Sequence, residues 1–156
     1  MIGKLSPQQV EDLLFQHVVA RIGCHADGVT YVVPTSYAYD GNYVYCHSEE
    51  GTKIDMMRKN PDVCFEVDSL DNMANWKSII AWGRFEEITD PVERKEAIRI
   101  LNSRVLPMAT GQTVHLSDIW PFTNGGNEVS GVIYRIQLEK KSGRYEEDSS
   151  SPNIAG

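Results

Sequence analysis

Apolar positions along the chain change period several times, and each change marks an element. Val10, Leu13 and Leu14 recur at helical spacing after Leu5-Ser6-Pro7-Gln8-Gln9. Ser6 can cap that helix, Pro7 fits its first turn, and Gln9 stands three residues beyond the cap, as in a capping box. The spacing predicts a helix ending near His17 or Val18. Val18 to His25 is β-branched and apolar, and Asp27-Gly28 closes it with a hairpin signal. Thr30 to Tyr39 is a second strand, closed by Asp40-Gly41. Pro34 interrupts this strand and points to an edge, a bulge or contact with something other than a strand, because proline cannot donate to a ladder. Asn42 to His47 and Asp62 to Val67 are the third and fourth strands. Between them Thr52 to Asn60 reads as a short helix, with Ile54, Met57 and Arg58 at helical spacing and a stop before Pro61.

Asp68 to Asn75 reads as a polar loop. Trp76 to Ile88 is a long strand in which Gly83 marks a bend. Asp90-Pro91-Val92-Glu93 starts a helix that should reach about Arg104. Pro107 to Asn127 is irregular and contains Trp120-Pro121-Phe122. Val129 to Lys140 is the last strand, with Val132, Tyr134, Ile136 and Leu138 on one face. The acidic tail, 143–156, is poor in apolar residues and expected to be disordered, which puts the domain at 1–142. Successive hairpins imply antiparallel pairing. About six strands with few helices to cover them favour a closed or half-closed barrel.

Composition narrows the function classes. The 156 residues suit one domain, and 41% apolar with 24% charged residues suits a soluble globular protein. A formal charge of -7 argues against a general nucleic-acid binder, but leaves room for a small anion at a locally positive site. No apolar run approaches the roughly 20 residues of a spanning helix, so no membrane partner is expected. MIGKLSPQQVEDLL lacks the apolar block of a secretion signal. Cys24, Cys46 and Cys64 have no paired spacing and read as small core residues in a reducing cytosol, so a cytoplasmic location is expected.

Three segments could carry chemistry. In Tyr45 to Pro61, YCHSEEGTKIDMMRKNP, Gly51 lets the backbone bend close to a ligand, and Thr52 and Lys53 stand at a helix start, where free N–H groups favour an anion. His47 and Ser48 add donors, while Glu49 and Glu50 oppose an anion. From spacing alone, an ordinary surface connection fits as well. In Val32 to Tyr37, the proline would leave backbone groups free for a flat polar ligand, with hydroxyls from Thr35 and Ser36; a bulged edge strand fits equally. Trp76-Lys77-Ser78 is a polar entry to an apolar strand. No metal site is expected, because Cys24-His25 and Cys46-His47 are adjacent strand residues that point to opposite faces. No nucleophile-elbow or GxGxxG pattern is present.

In order and spacing, Arg21 to Asp68 and Asn75 to Asp90 (NWKSIIAWGRFEEITD) resemble the FMN-binding split-barrel superfamily of pyridoxamine 5'-phosphate oxidase and the 5-nitroimidazole-resistance proteins, most of all the latter branch. The resemblance covers roughly residues 5 to 140. It implies a mainly β fold, a six-stranded antiparallel split β-barrel with flanking helices, acting as a homodimer with FMN at the subunit interface. It further implies that Lys53 and Thr52 hold the FMN phosphate and that Gly51 gives backbone room. Val33, Pro34, Thr35 and Ser36 would face the ring and ribityl chain, and His47 and Ser48 would line the pocket. Lys77 and Ser78 would reach in from the neighbouring strand, and Trp120 would cover the flavin from the partner chain. Thr52 replaces an arginine common in the oxidases, and no arginine-rich C-terminal segment follows the last strand, so pyridoxal-phosphate synthesis is not expected. The implied activity is an FMN-dependent oxidoreductase acting on a small electrophile such as a nitroaromatic or quinone, with His47 as the candidate acid/base. A non-catalytic flavin carrier or sensor, or a haem-handling protein, are the alternatives.

Overall fold

The computed structural model describes residues 1–104 and 130–148. In chain order the elements are β1 (Ile2–Lys4), α1 (Pro7–Gln16), β2 (Val19–Ala26), β3 (Val29–Ser36), β4 (Ala38–Tyr39), β5 (Tyr43–Ser48), α2 (Thr52–Lys59), β6 (Asp62–Asn72), β7 (Asn75–Glu87), α3 (Pro91–Ser103) and β8 (Val132–Glu146). All strand pairs are antiparallel, in the order β3-β2-β6-β7-β8-β5-β4, with β1 added on β8. This is the half-closed barrel that the hairpin signals anticipate, and the split barrel that the family resemblance implies. Pro34 sits in β3, which among the described residues pairs only with β2, so the proline removes no ladder donor from an interior strand. Caps act where the sequence places them. The Ser6 hydroxyl accepts from the Gln9 N–H at 3.2 Å, and Asp90 accepts from the Val92 and Glu93 N–H groups.

Four features depart from the sequence reading. The described residues form eight strands rather than six, because Ile2–Lys4 and Ala38–Tyr39 form short ones. The second run breaks at Tyr37, whose N–H donates to the Val18 carbonyl at 2.9 Å and whose hydroxyl donates to the Leu14 carbonyl at 2.8 Å. The expected loop 68–75 is instead a continuation of the β6–β7 hairpin, pairing Asp68 with Ser78 and Ser69 with Lys77. Its side chains are polar because this end of the hairpin stands clear of the core, and the ladder bonds are made by backbone alone. Finally, β8 runs to Glu146, past the expected domain end at 142: Trp76 pairs with Glu146, and the Leu5 N–H donates to the Gly143 carbonyl at 2.9 Å. Residues 149–156 of the tail lie outside the described residues.

The core has two parts. Ile22, Phe65, Val67, Ile79, Tyr134 and Ile136 fill the barrel, joined by Leu14 and Leu13 from α1 and by Ile54 and Met57 from α2. Ala97 and Leu101 of α3 close a second cluster on the outer side of β5 and β8, over Tyr45 and Ile133. Tyr37 meets Phe65 edge-on, with centroids 5.1 Å apart. Each fully buried Leu, Ile or Phe contributes about 1.5–3 kcal/mol.

Candidate functional site

The two margins of the sheet, β3 and β5–β4, do not pair with each other, and α2, which leaves the end of β5, packs on β2 beside the split. Four polar side chains of the barrel interior gather here: Thr35 from β3, Cys24 from β2, Cys46 from β5 and Tyr134 from β8, each of them buried. Lys53, in the first turn of α2, is half-buried against them. Burial pulls its ammonium below the ordinary lysine range, and the groups that counter this are the Cys46 and Cys24 thiols, not carboxylates. Burial in turn pushes the Cys46 thiol up to about 11 and raises Cys24. The site is therefore a desolvated cation among uncharged thiols and hydroxyls.

The start of α2 adds donors. Gly51 is the cap residue and supplies no side-chain bond, so its side does not satisfy the N–H groups of the first turn. Its backbone is extended, and a Cβ placed there would meet nothing within 4 Å, so the turn opens onto free space. Thr52 is exposed beside it. Glu50 is drawn off to the far end of the helix, where Arg58 holds it with bonds of 2.7 and 2.9 Å.

The other sequence-derived residues are spread out. Val33 and Thr35 face inward from β3, whereas Pro34 faces outward and pairs with Arg21; Ser36 ends the strand half-buried. His47 lies on the face of β5 opposite Cys46, and its Nε2–H donates to the Ser130 carbonyl at 2.6 Å. That bond requires a proton on Nε2. The Ser48 hydroxyl donates to the Glu49 carbonyl at 3.0 Å. Lys77 lines a cavity of about 450 Å³ with His17, Trp76 and Tyr145, and Ser78 lies 3.5 Å from Glu66 on the outer face of the sheet. Within one chain the structure thus groups Thr35 and Lys53 around the two thiols, and places Lys77 and Ser78 elsewhere. Trp120 lies outside the described residues.

Arg104 is the residue the sequence reading passed over. It follows α3 directly, where an arginine usually serves the helix C-terminus from solvent. Here its three guanidinium nitrogens are buried. Burial lowers it to about 10, with Cys46 acting in the opposite direction. Two cations therefore act on Cys46, one from the start of α2 and one from just past α3. The remaining sequence surprise is Cys64, which is half-exposed, on the outer face, in a groove of about 770 Å³. Gly23, Val32, Ile80 and Trp82 line its apolar floor, and Val32 and Trp82 are 60% and 42% exposed. One end carries Arg21, which bonds Asp68 at 2.7 Å and Glu66 at 3.3 Å; burial, with Asp68 beside it, raises the Glu66 carboxyl.

An antiparallel split barrel with a half-buried cation at the start of α2 defines the class of protein, and comparison with known proteins gives the same class. The family described as pyridoxamine 5'-phosphate oxidase matches residues 6–145. The chain belongs to that family. It is similar to a crystal structure of an FAD-binding protein from Mesorhizobium loti, with 32% identity, a TM-score of 0.73 and coverage of 94% of this chain and 99% of that one. A candidate 5-nitroimidazole antibiotic resistance protein from Bacteroides thetaiotaomicron shares the fold at 21% identity, with a TM-score of 0.69 and coverage of 93% and 87%. An uncharacterized protein of Rhizobium meliloti (strain 1021) is 36% identical over 84 residues, 54% of this chain and 56% of that protein, so the match spans about half the length of each. Among the described residues, no helix is long and apolar enough to cross a membrane.

Proposed function

We propose that this chain binds FMN, or the FMN half of FAD, and uses it as an oxidoreductase. The observation that carries the reading is Lys53: an ammonium held half-buried beside an uncapped helix start, with only thiols and hydroxyls inside to answer its charge. A desolvated cation with free N–H groups beside it is matched by a phosphate. The FAD-binding relative from Mesorhizobium loti supports a flavin, since FAD carries the same first phosphate as FMN. Lys53 and Thr52 would hold that phosphate at Gly51, and Val33 to Ser36 would run along the ring and ribityl chain. His47 and Ser48 would wall the site, with His47 as the candidate acid/base. A bound flavin supplies hydride or electron transfer, and the protein orients a small electrophile, a nitroaromatic or quinone, against it. The free thiols and the acidic surface suit a cytoplasmic protein.

The purified protein should show flavin absorption peaks, or acquire them on addition of FMN. A colourless protein that takes up no FMN refutes the reading. Anaerobic reduction followed by a nitroaromatic or quinone should reoxidise the flavin; a flavin that stays reduced makes the protein a carrier or sensor.

A homodimer completes this reading, because Lys77 and Ser78 lie away from Lys53 in one chain and a second copy could deliver them. The apolar outer groove is the face for it: Val32, Ile80 and Trp82 leave a contiguous patch whose burial would favour association. Trp82→Asp is expected to turn a dimer, measured by light scattering, into a monomer. An unchanged dimer mass would place the interface on another face.

A further inference from the structure

Two glutamates precede the α2 start, and the structure treats one of them in a specific way. Arg58, in the last turn of α2, reaches back along the helix to Glu50. Its Nη1 donates to Glu50 Oε2 at 2.7 Å and its Nη2 to Glu50 Oε1 at 2.9 Å. The same guanidinium bonds Glu87 at the end of β7, with Nε to Oε2 at 3.1 Å and Nη2 to Oε1 at 2.8 Å. One planar group thus grips two carboxylates and fastens the residue before Gly51 to the long strand. This geometry suits a guanidinium and cannot be reproduced by an ammonium. The hydrogen bonds from Arg58 also hold the Glu50 carboxyl below its usual range, so the charge persists and must be placed somewhere.

Lys53 stands three residues further along the chain. Glu50 is joined to the first turn only through Gly51, a residue with open space around it. Released from Arg58, the Glu50 carboxylate could swing toward the ammonium and occupy the place of an anion. We propose that Arg58 is a positioning residue for the α2 anion site, holding Glu50 on Glu87's side of the helix so that Lys53 stays open to phosphate. Arg58 touches no ligand in this scheme; it acts by keeping a competing carboxylate away. The inference rests on the reading of Lys53 as the phosphate residue.

The test is a cycle of Arg58→Ala, Glu50→Gln and the double variant, titrated with FMN and with riboflavin, which lacks the phosphate. Arg58→Ala should weaken FMN roughly three- to fivefold, the range of one partly exposed charge pair, and leave riboflavin unchanged. Glu50→Gln alone should hold FMN affinity within about twofold, and the double variant should recover the wild-type value. Arg58→Lys should fall between. A second readout needs no flavin: the Lys53 ammonium, followed by NMR titration, should rise in pKa in Arg58→Ala and return in the double variant. Equal losses for FMN and riboflavin, or no recovery in the double variant, would mark Arg58 as a mere structural tie and overturn the inference. If the wild-type protein takes up no flavin, the proposed function fails, and the Lys53 titration alone still decides whether Arg58 controls Glu50. Should Arg58→Ala not fold, Arg58→Lys and Glu87→Gln carry the same comparison.

Discussion

Lys53→Ala is expected to weaken FMN binding about tenfold to a hundredfold while leaving riboflavin affinity unchanged. A hydrogen bond to a charged group is worth about 1.5–3 kcal/mol, and 1.4 kcal/mol is tenfold in affinity. Fluorescence titration of both ligands measures it, and equal affinity of wild type and variant for FMN would remove Lys53 from the phosphate site. The same residue should tune stability without flavin. Burial lowers the folded-state pKa of Lys53 below its ordinary value of 10.5. Between the folded value and 10.5 the unfolded chain binds more protons, so stability rises with pH across that window. Below it the penalty for the buried charge is present in full, and above 10.5 it is gone. Lys53→Met removes the charge, keeps the stem and should be more stable than wild type at neutral pH in urea melts. Its curve should lack the Lys53-linked rise toward high pH. If both proteins share one pH profile, Lys53 is better solvated than its surroundings indicate.

Gly83→Ala is expected to destabilise the fold by about 3 kcal/mol, the upper end of the range for a side chain forced into a filled space, because the clash is with backbone. Gly83 stands at the one register shift of the β7–β8 ladder, next to Trp82. A Cβ there would lie 2.0 Å from the Gln137 carbonyl oxygen and 2.8 Å from Ile136 Cγ2. Gln137 cannot retreat, because β8 is held on both sides: it pairs with Arg84 of β7 and with Tyr43 of β5. At roughly 2–4 °C per kcal/mol for a domain of this size, the melting temperature should fall by about 6 °C or more. Gly51→Ala is the control, since its Cβ enters open space and its extended backbone suits alanine. A Gly83→Ala protein that melts with wild type would mean that the bulge relaxes without cost.

Much of the fold is written locally and was legible for that reason. Ser6 and Gln9 cap each other across three residues, Asp90 caps Val92 and Glu93 two and three residues on, and Asp27-Gly28 reverses the chain by its own backbone preference. Pro34 announces a sheet margin because its missing N–H is a property of one residue. The hairpin end at Asp68–Asn72 was hidden, since its side chains are polar and its pairing is a backbone matter. The same limit hid the short strands: Ile2–Lys4 takes its place only because β8 continues to Glu146 to receive it.

The site divides along the same line. The sequence by itself determined that Gly51, Thr52 and Lys53 begin a helix, and that Val33 to Ser36 form a strand interrupted by proline. Only the tertiary structure decided what the charges of that region do. Lys53, Arg58 and Arg104 are all cations in the sequence, yet Lys53 and Arg104 lose water beside Cys46 while Arg58 is occupied with Glu50 and Glu87. A cation's effect depends on its loss of water and on the carboxylates within reach, and both are set by residues far away in the chain. Glu87 lies 29 positions from Arg58, and no reading of the α2 segment alone would have brought it there.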